Sequence, residues 1–531
     1  MNRKFTFVAG MAVLLLSTST FAANTSSLKD SNGPIRQAHG GPNVIVFLVD
    51  DMGVMDTSVP FLTDDDGNAK KYPLNKFYRT PGMERLASQG IRFNQFCAQS
   101  VCSPSRASII TGQNATRHGS TTWIHPSHNN RGNFGPKEWN WEGLKKGDVT
   151  LPRVLKDAGY RTIHIGKAHF APEKFEGADP TNIGFEINIA GGCWGQPRSY
   201  YSEDHYGNHP KYKVGRNGKP TPLHHQVPHL DKYYDTGTFL TEALTLEAKD
   251  QIRKSVKDDK PFFLHMAQYA LHSPFNADKR FIKNYQKSNK SKTAQAFASL
   301  VEGMDKSLND IMDELEAQNI AENTLIIFLG DNGTDAPLGK THEIACAAPL
   351  RGKKATHYEG GMRIPFIAAW AKNDKENRWQ NKLPIAQGVI QSQMGTVMDI
   401  YPTILELTGV KNPSGHTVDG SSLKTLFTGK NDSSKQEMFL MHFPHKHRST
   451  YFTSYRLKNW KVIYHYNPEN PMQPRYELFD LRTDPFENNN QANSNPERLG
   501  TMMRSMAAQL ESEGALYPIA KDGTELKPLI Q

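Results

Sequence analysis

Cysteine is scarce: the 531-residue chain has four, Cys97, Cys102, Cys193 and Cys346. That density excludes a disulfide-built scaffold, although one bridge is possible and its pairing is not legible. Beyond the N-terminus no apolar run is long enough to span a membrane, and the mean hydropathy is −0.61. Nucleic-acid-binding motifs are absent, and lysine and arginine are scattered rather than gathered into a patch. No internal repeat is evident. What is present, 37% hydrophobic and 22% charged residues, is the composition of a globular protein, neither disordered nor fibrous.

The N-terminus reads M-N-R-K-F-T-F-V-A-G-M-A-V-L-L-L-S-T-S-T-F-A-A. Arg3 and Lys4 precede a short apolar core, and Ala22 and Ala23 are small enough for cleavage, so residues 1–23 are expected to be a secretory signal peptide. No cysteine follows closely enough for a lipid anchor, which makes the expected location periplasmic or secreted. The formal charge of +9 suits an acidic substrate, or solubility alone.

Residues 24–42 read as a flexible lead-in. Asn43–Val49 is then an apolar, β-branched run with the length of a strand buried on both faces, and it ends at Asp50, Asp51 and a glycine. T-L-I-I-F-L-G-D-N-G repeats the design and ends at Asp331 and Asn332. Helix–turn–strand patterns recur at residues 80–93 and 150–169, and a further buried strand is expected near Phe262–Tyr269. The alternation predicts an α/β fold: a large, mixed, mostly parallel sheet flanked by helices, with its ligands beyond the carboxyl ends of the strands. The long polar segment 191–235, with Cys193, Trp194, His205, His209, His224, His225 and His229, is expected to be an active-site insertion. A boundary near residue 430 separates a catalytic domain, 24–430, from a C-terminal α+β subdomain, 431–531. There, strand-like pieces and a helix over about 497–513 predict a small antiparallel sheet.

Asp50, Asp51, Asp331 and Asn332 offer three carboxylates and an amide oxygen at strand ends, a donor set for a hard divalent cation such as Ca2+ or Mg2+. Lys167 and His169, two apart after another strand, would project to one side of an extended chain and suit anion binding and proton transfer. His272 closes a strand, and Lys354 lies in a glycine-flanked loop. In S-V-C-S-P-S-R-A-S-I-I-T-G a helix is expected to start near Pro104, which puts Cys102 at an anion-favouring helix pole, with Arg106 four residues on. A thiolate there matches a hard cation poorly, so an oxygen-based group at position 102 would suit the site better.

C-S-P-S-R-A-S-I-I-T-G-Q resembles the C-x-P-x-R signature of the type I sulfatases, in the alkaline phosphatase superfamily. V-D-D-M-G ahead of it, and G-Y-R-T-I-H-I-G-K-A-H, L-H-S-P-F, G-D-N-G, L-R-G-K-K-A-T-H-Y-E-G-G-M-R-I-P, D-I-Y-P-T-I-L-E-L-T-G and Y-E-L-F-D-L-R-T-D-P-F-E after it, resemble family blocks in the family's order over nearly the whole mature chain. Ala168 stands where an aromatic residue is common, and Leu271 where proline is. Lys353 and Lys354 are adjacent, and spacing to Glu359-Gly360-Gly361 selects Lys354.

The resemblance implies that a formylglycine-generating enzyme converts Cys102 to Cα-formylglycine. Asp50, Asp51, Asp331, Asn332 and residue 102 would hold Ca2+. Arg106 and Lys167 would steady the hydrated aldehyde, and Lys354 would grip sulfate. His272 would protonate the leaving alcohol, and His169 would deprotonate the second hydroxyl. The expected activity is sulfuric ester hydrolysis on a sulfated algal or host glycan, in exo fashion, with Trp123, Trp139, Trp141 and Trp194 available to sugar rings. An arylsulfatase, a phosphonate or phosphate ester hydrolase, and a non-catalytic glycan-binding protein are the competing expectations.

Overall fold

The computed structural model describes Met1 and residues 40–213, 225–473 and 475–530. The expected leader, most of the lead-in and His224 lie outside the described residues. In chain order the strands are β1 (Asn43–Val49), β2 (Ile91–Phe93), β3 (Phe96–Cys97), β4 (Arg161–Gly166), β5 (Ile187–Ile189), β6 (Phe262–Gln268) and β7 (Thr324–Gly330). They continue with β8 (Phe366–Trp370), β9 (Val389–Gln391), β10 (Gly395–Thr396), β11 (Met438–Lys446), β12 (Thr450–Leu457), β13 (Trp460–His465) and β14 (Arg475–Asp480).

The large sheet runs β5-β4-β6-β1-β7-β8-β2-β9, and every pairing is parallel except those of β8. Alternation along β1 divides the core. Ile45, Phe47 and Val49 pack with helices Leu240–Lys257 and Lys292–Ala317, while Val44, Val46 and Leu48 face Cys102–Thr111 and Ile400–Thr408. Covered on both faces, β1 and β7 are continuous apolar runs after Asn43 and Thr324, as a parallel sheet favours, while β6 carries the buried polar residues His265 and Gln268.

Register then builds the site. Val49 pairs with both Gln268 and Gly330, and Gly166 pairs with Ala267. The chain therefore leaves β1, β4, β6 and β7 at one level, with neighbouring strands about 4.8 Å apart. The residues just beyond those ends, Asp50, Lys167 and Asp331, become neighbours although 117 to 281 positions separate them in pairs such as Lys167–Asp50 and Asn332–Asp51.

The C-terminal sheet is antiparallel, β11-β12-β13-β14. The stretch R-L-K-N-W-K-V-I-Y-H-Y comprises the end of β12, a tight turn and β13. Phe439, Met441, Phe443 and Phe452 pack on Cys97, Val101 and Met362, next to the start of helix Cys102–Thr111. The other face is covered by Leu499, Met503 and Met506 of helix Pro496–Ser512. Glu359 ties the sheets together, buried against Lys461 at 3.1 Å and Arg363 at 2.5 Å. All four cysteines are buried free thiols, so the possible disulfide is not formed. Among the described residues no helix is long and apolar enough to cross a membrane.

Candidate active site

Three ion pairs line the carboxyl edge of the sheet. Lys167 Nζ donates to both oxygens of Asp50 at 2.7 Å. Arg106 Nε donates to Asp331 Oδ2 at 2.8 Å, and Lys354 Nζ to Asp51 Oδ2 at 2.8 Å. All six residues are essentially buried. Burial raises the Asp50 carboxyl well above its usual range, only partly countered by Lys167. Burial acts the same way on Asp51, but Lys354, then His272 and Lys167, outweigh it and hold that carboxyl far below the usual range. Asp331 is also held low against burial, chiefly by Arg106.

The donor set fits a hard cation. Oxygens of Asp50, Asp51 and Asp331 lie within 4.8 Å of one another. Asn332 donates its Nδ2 to Asp51 Oδ1 at 3.0 Å, while its Oδ1 is buried without a hydrogen-bond partner. A buried acceptor left unmade costs about 1–3 kcal/mol, and a cation would satisfy it.

Cys102 is the first residue of helix Cys102–Thr111, with Val101 as its N-cap. The helix thus starts two residues before the expected Pro104, and Cys102 lies in the first turn, where free N–H groups favour an anion. Val101, packed under the C-terminal sheet, anchors this end. Lys167 and His169 do not share an extended segment. β4 ends at Gly166, whose φ of +101° takes the chain out of the sheet, and His169 has a φ of +57°. The turn sends Lys167 to Asp50 and brings His169 Nδ1 to 3.3 Å from Cys102 Sγ. The Ile124 carbonyl, 2.7 Å from His169 Nε2, can only accept, so Nε2 carries the proton and neutral Nδ1 faces Cys102 as an acceptor. Burial, and then Lys167, keep this imidazole well below its usual pKa. Gly195 is packed against the ring of His169, where any side chain would collide with it.

His272 Nδ1 lies 2.9 Å from the Ser273 carbonyl, which leaves Nε2 toward the site, 3.6 Å from Asp51. Burial first, then Lys354, lower its pKa to about 3. Lys353, by contrast, pairs with Asp335 at 3.3 Å.

A cavity of about 500 Å3 opens over these groups, lined by Cys102, His169, His272 and Lys354 below and by Trp123 and Trp194 on its walls. Trp194, Gln196 and His225 come from the long polar segment, which places part of that insertion at the site. Trp139 is not available: it is buried, and its Nε1 donates to Asn129. Trp141 packs edge-on against Phe175. Sequence reasoning missed Asp335, His447 and Arg448, which also line the cavity. Asp335, four residues after Asp331, was within reach of motif reading; the β11–β12 turn that carries His447 and Arg448 has no motif of its own.

A doubly covered, mostly parallel sheet with buried oxygen donors and cationic side chains at its carboxyl edge, and a helix start in the cavity above them, suits an enzyme acting on an anionic ester. The chain belongs to the sulfatase family, a family of sulfuric ester hydrolases: residues 42–410 match it, and residues 353–514 match the C-terminal region of N-sulphoglucosamine sulphohydrolase. The chain is 30% identical over 400 residues to the N-acetylgalactosamine-6-sulfatase of Mus musculus, covering 73% of this chain and 67% of that one. It is 27% identical over 551 residues to a sulfatase of Formosa agariphila, covering 93% and 90%. Its fold is similar to that of Ps i-CgsB in complex with k-i-k-neocarrahexaose, with a TM-score of 0.66, 23% identity and coverage of 92% and 95%.

Proposed function

We propose that the protein removes sulfate from a sulfated carbohydrate, with Cys102 matured to Cα-formylglycine and Ca2+ held by Asp50, Asp51, Asp331, Asn332 and residue 102. The observation that carries this reading is that Cys102, from the C-x-P-x-R pattern, shares a cavity with Lys354 and His272, whose side-chain nitrogens reach Asp51 in a cluster of three buried carboxylates beside the unpartnered Asn332 Oδ1.

Charge explains the substrate class. Asp50, Asp51 and Asp331 are balanced by Lys167, Lys354 and Arg106. Bound there, Ca2+ would supply two further positive charges, which would draw an anionic ester and stabilise charge developing on its oxygens. Formylglycine at position 102 would supply, once hydrated, one hydroxyl for attack on sulfur and a second whose deprotonation would expel sulfate without water attacking sulfur.

The chain's own residues serve those two events. Lys354, at the cavity floor, grips sulfate oxygens. Arg106 and Lys167 hold the carboxylates and steady residue 102. His272, its Nδ1 engaged by Ser273, turns Nε2 to the leaving oxygen; it takes up a proton when the anionic substrate binds and delivers it to the departing alcohol. His169, its Nε2–H fixed by Ile124, takes the proton of the second hydroxyl at Nδ1.

The carbohydrate reading is supported by Trp123 and Trp194 on the cavity walls and by the sugar-directed names of the two relatives. Export by the N-terminal leader, maturation by a formylglycine-generating enzyme and exo action belong to the same reading. Two measurements test it. The mass of the peptide containing residue 102, from protein purified from its native source, is expected to match formylglycine. That protein is expected to release sulfate from sulfated oligosaccharides. An unmodified Cys102, or turnover of a small aryl sulfate with none of any sulfated oligosaccharide, would overturn it.

A further inference from the structure

Two chain segments that build the active-site cavity also build a second one beside it. In one, Lys354 lines the catalytic cavity while His357 and Tyr358 line the other. In the β11–β12 turn, His447 lines the first, Ser449 the second with Thr450 of β12 beside it, and Arg448 both. The second cavity is the larger, about 990 Å3 against about 500 Å3.

Its charge is one-sided. Arg351, Arg448 and Arg475 stand on its walls against a single carboxylate, Glu477. That carboxylate is already engaged: Tyr358 donates to Oε2 at 2.9 Å, and His465 Nε2 lies 2.9 Å from Oε1. With His357 Nε2 at 3.5 Å, the trio has the donor types of a zinc site. Three guanidinium groups around it oppose a dication, however, and the His465–Glu477 distance is that of a hydrogen bond. An anion meets the reverse field.

The arginines are also built to receive one. Arg351 stacks on the Tyr358 ring, 4.0 Å from its centroid, so the plane of its guanidinium is set before a ligand arrives. Arg475 is exposed on β14, paired in register with His465 of β13. Arg448 stands at the junction, held by Asp335 at 2.8 Å. Asn467, Asn490 and Tyr476 complete the walls.

We propose that this second cavity is a subsite for a further anionic sugar of the same substrate chain. The protein then reads at least two anionic groups on one oligosaccharide: the sulfate that reacts over residue 102, and a sulfate or carboxylate held by Arg351 and Arg475 beyond Arg448. The proposal rests on the carbohydrate-sulfatase reading and deepens it.

The test compares matured wild-type protein with Arg351→Ala and Arg475→Ala on 4-nitrophenyl sulfate and on sulfated oligosaccharides of two, four and six sugars. Carrageenan oligosaccharides carry sulfate alone, and chondroitin sulfate oligosaccharides carry sulfate and uronate, so the pair distinguishes the source of the second anion. For wild type, kcat/KM is expected to rise about tenfold with length, mostly through KM. Each variant is expected to lose most of that rise while turning over 4-nitrophenyl sulfate as before. Arg475 is exposed, so its replacement leaves folding intact and keeps the comparison decisive. Oligosaccharide turnover without length dependence, or length dependence unchanged in both variants, overturns the subsite alone. Turnover of 4-nitrophenyl sulfate with none of any oligosaccharide overturns the subsite and the carbohydrate reading together.

Discussion

His169 Nδ1 lies 3.3 Å from Cys102 Sγ, and the proton on its far nitrogen points at the Ile124 carbonyl, 2.7 Å away. The backbone has chosen the tautomer: the nitrogen that faces residue 102 is the one with a lone pair. This geometry suits a base and is wrong for an acid. Replacing His169 by Ala is therefore expected to spare attack on sulfur but stall release of sulfate, with turnover down about 10²–10⁴-fold. Intact-protein mass spectrometry after brief exposure to substrate should show one retained sulfate group. A variant that is slow but retains no sulfate would show that His169 acts earlier.

Lys353 and Lys354 separate cleanly. Lys354 Nζ reaches Asp51 at the cavity floor, whereas Lys353 pairs with Asp335, on the side of Arg448. Lys354→Ala is expected to lower kcat/KM by about 10²–10³-fold, the scale for losing one charged stabiliser of the reacting group. Lys353→Ala should cost about fivefold or less on an aryl sulfate, since Arg448 still engages Asp335. Equal losses in the two variants would contradict this division.

Much of this was legible in the chain because parallel strands advertise themselves. Beyond Asn43 and Thr324, Asn43–Val49 and Thr324–Gly330 are apolar because helices cover both their faces, and chemistry-bearing residues follow directly where each strand stops. What the sequence does not encode locally is where distant loops meet. Arg448 and His447 sit in a hairpin turn of the second sheet, and only the packing of that sheet on Val101 and Met362 brings them to the cavity. His169 reaches the cavity by a geometry the sequence does not signal: alternation along an extended chain predicts its side, but a left-handed turn delivers it. Trp139 shows the converse, an aromatic residue suited to a sugar that the fold uses as core.

The metal makes a prediction of its own. Without a cation, three carboxylates face three cations and Asn332 Oδ1 has no partner. Ca2+ is expected to stabilise the fold by roughly 2.7 kcal/mol when present at a hundredfold its Kd. A chelator should accordingly lower the melting temperature, and added Ca2+ should restore it. Asp331→Asn, which removes one ligand charge, is expected to melt lower and to lose most of that response. A melting temperature indifferent to chelator and Ca2+ in the wild type would mean that these oxygens hold no exchangeable ion.

The last prediction concerns acid. His442 and His445 of β11 are both buried neutral, His442 between Thr453 and the Leu516 carbonyl, His445 between Thr121 and the Arg131 carbonyl. Burial depresses their pKa to about 4 and about 3. For a histidine depressed on folding, the unfolded chain binds the proton first. The stabilisation is complete above the unfolded pKa of about 6.5 and is lost as pH falls toward the folded value. At pH 5 that loss is roughly 2 kcal/mol for each. Buried carboxyls such as Asp305, raised by desolvation to about 7, change in the opposite direction over the same interval, so the total slope is not the signature. The difference between proteins is. His442→Gln removes one titrating group from the β11–Leu516 contact, and should be less stable than wild type at pH 7.5 yet lose less on acidification to pH 5. Denaturant midpoints at the two pH values measure both quantities. A variant whose acid loss equals that of wild type would mean that His442 is already protonated, or already exposed, in the folded protein.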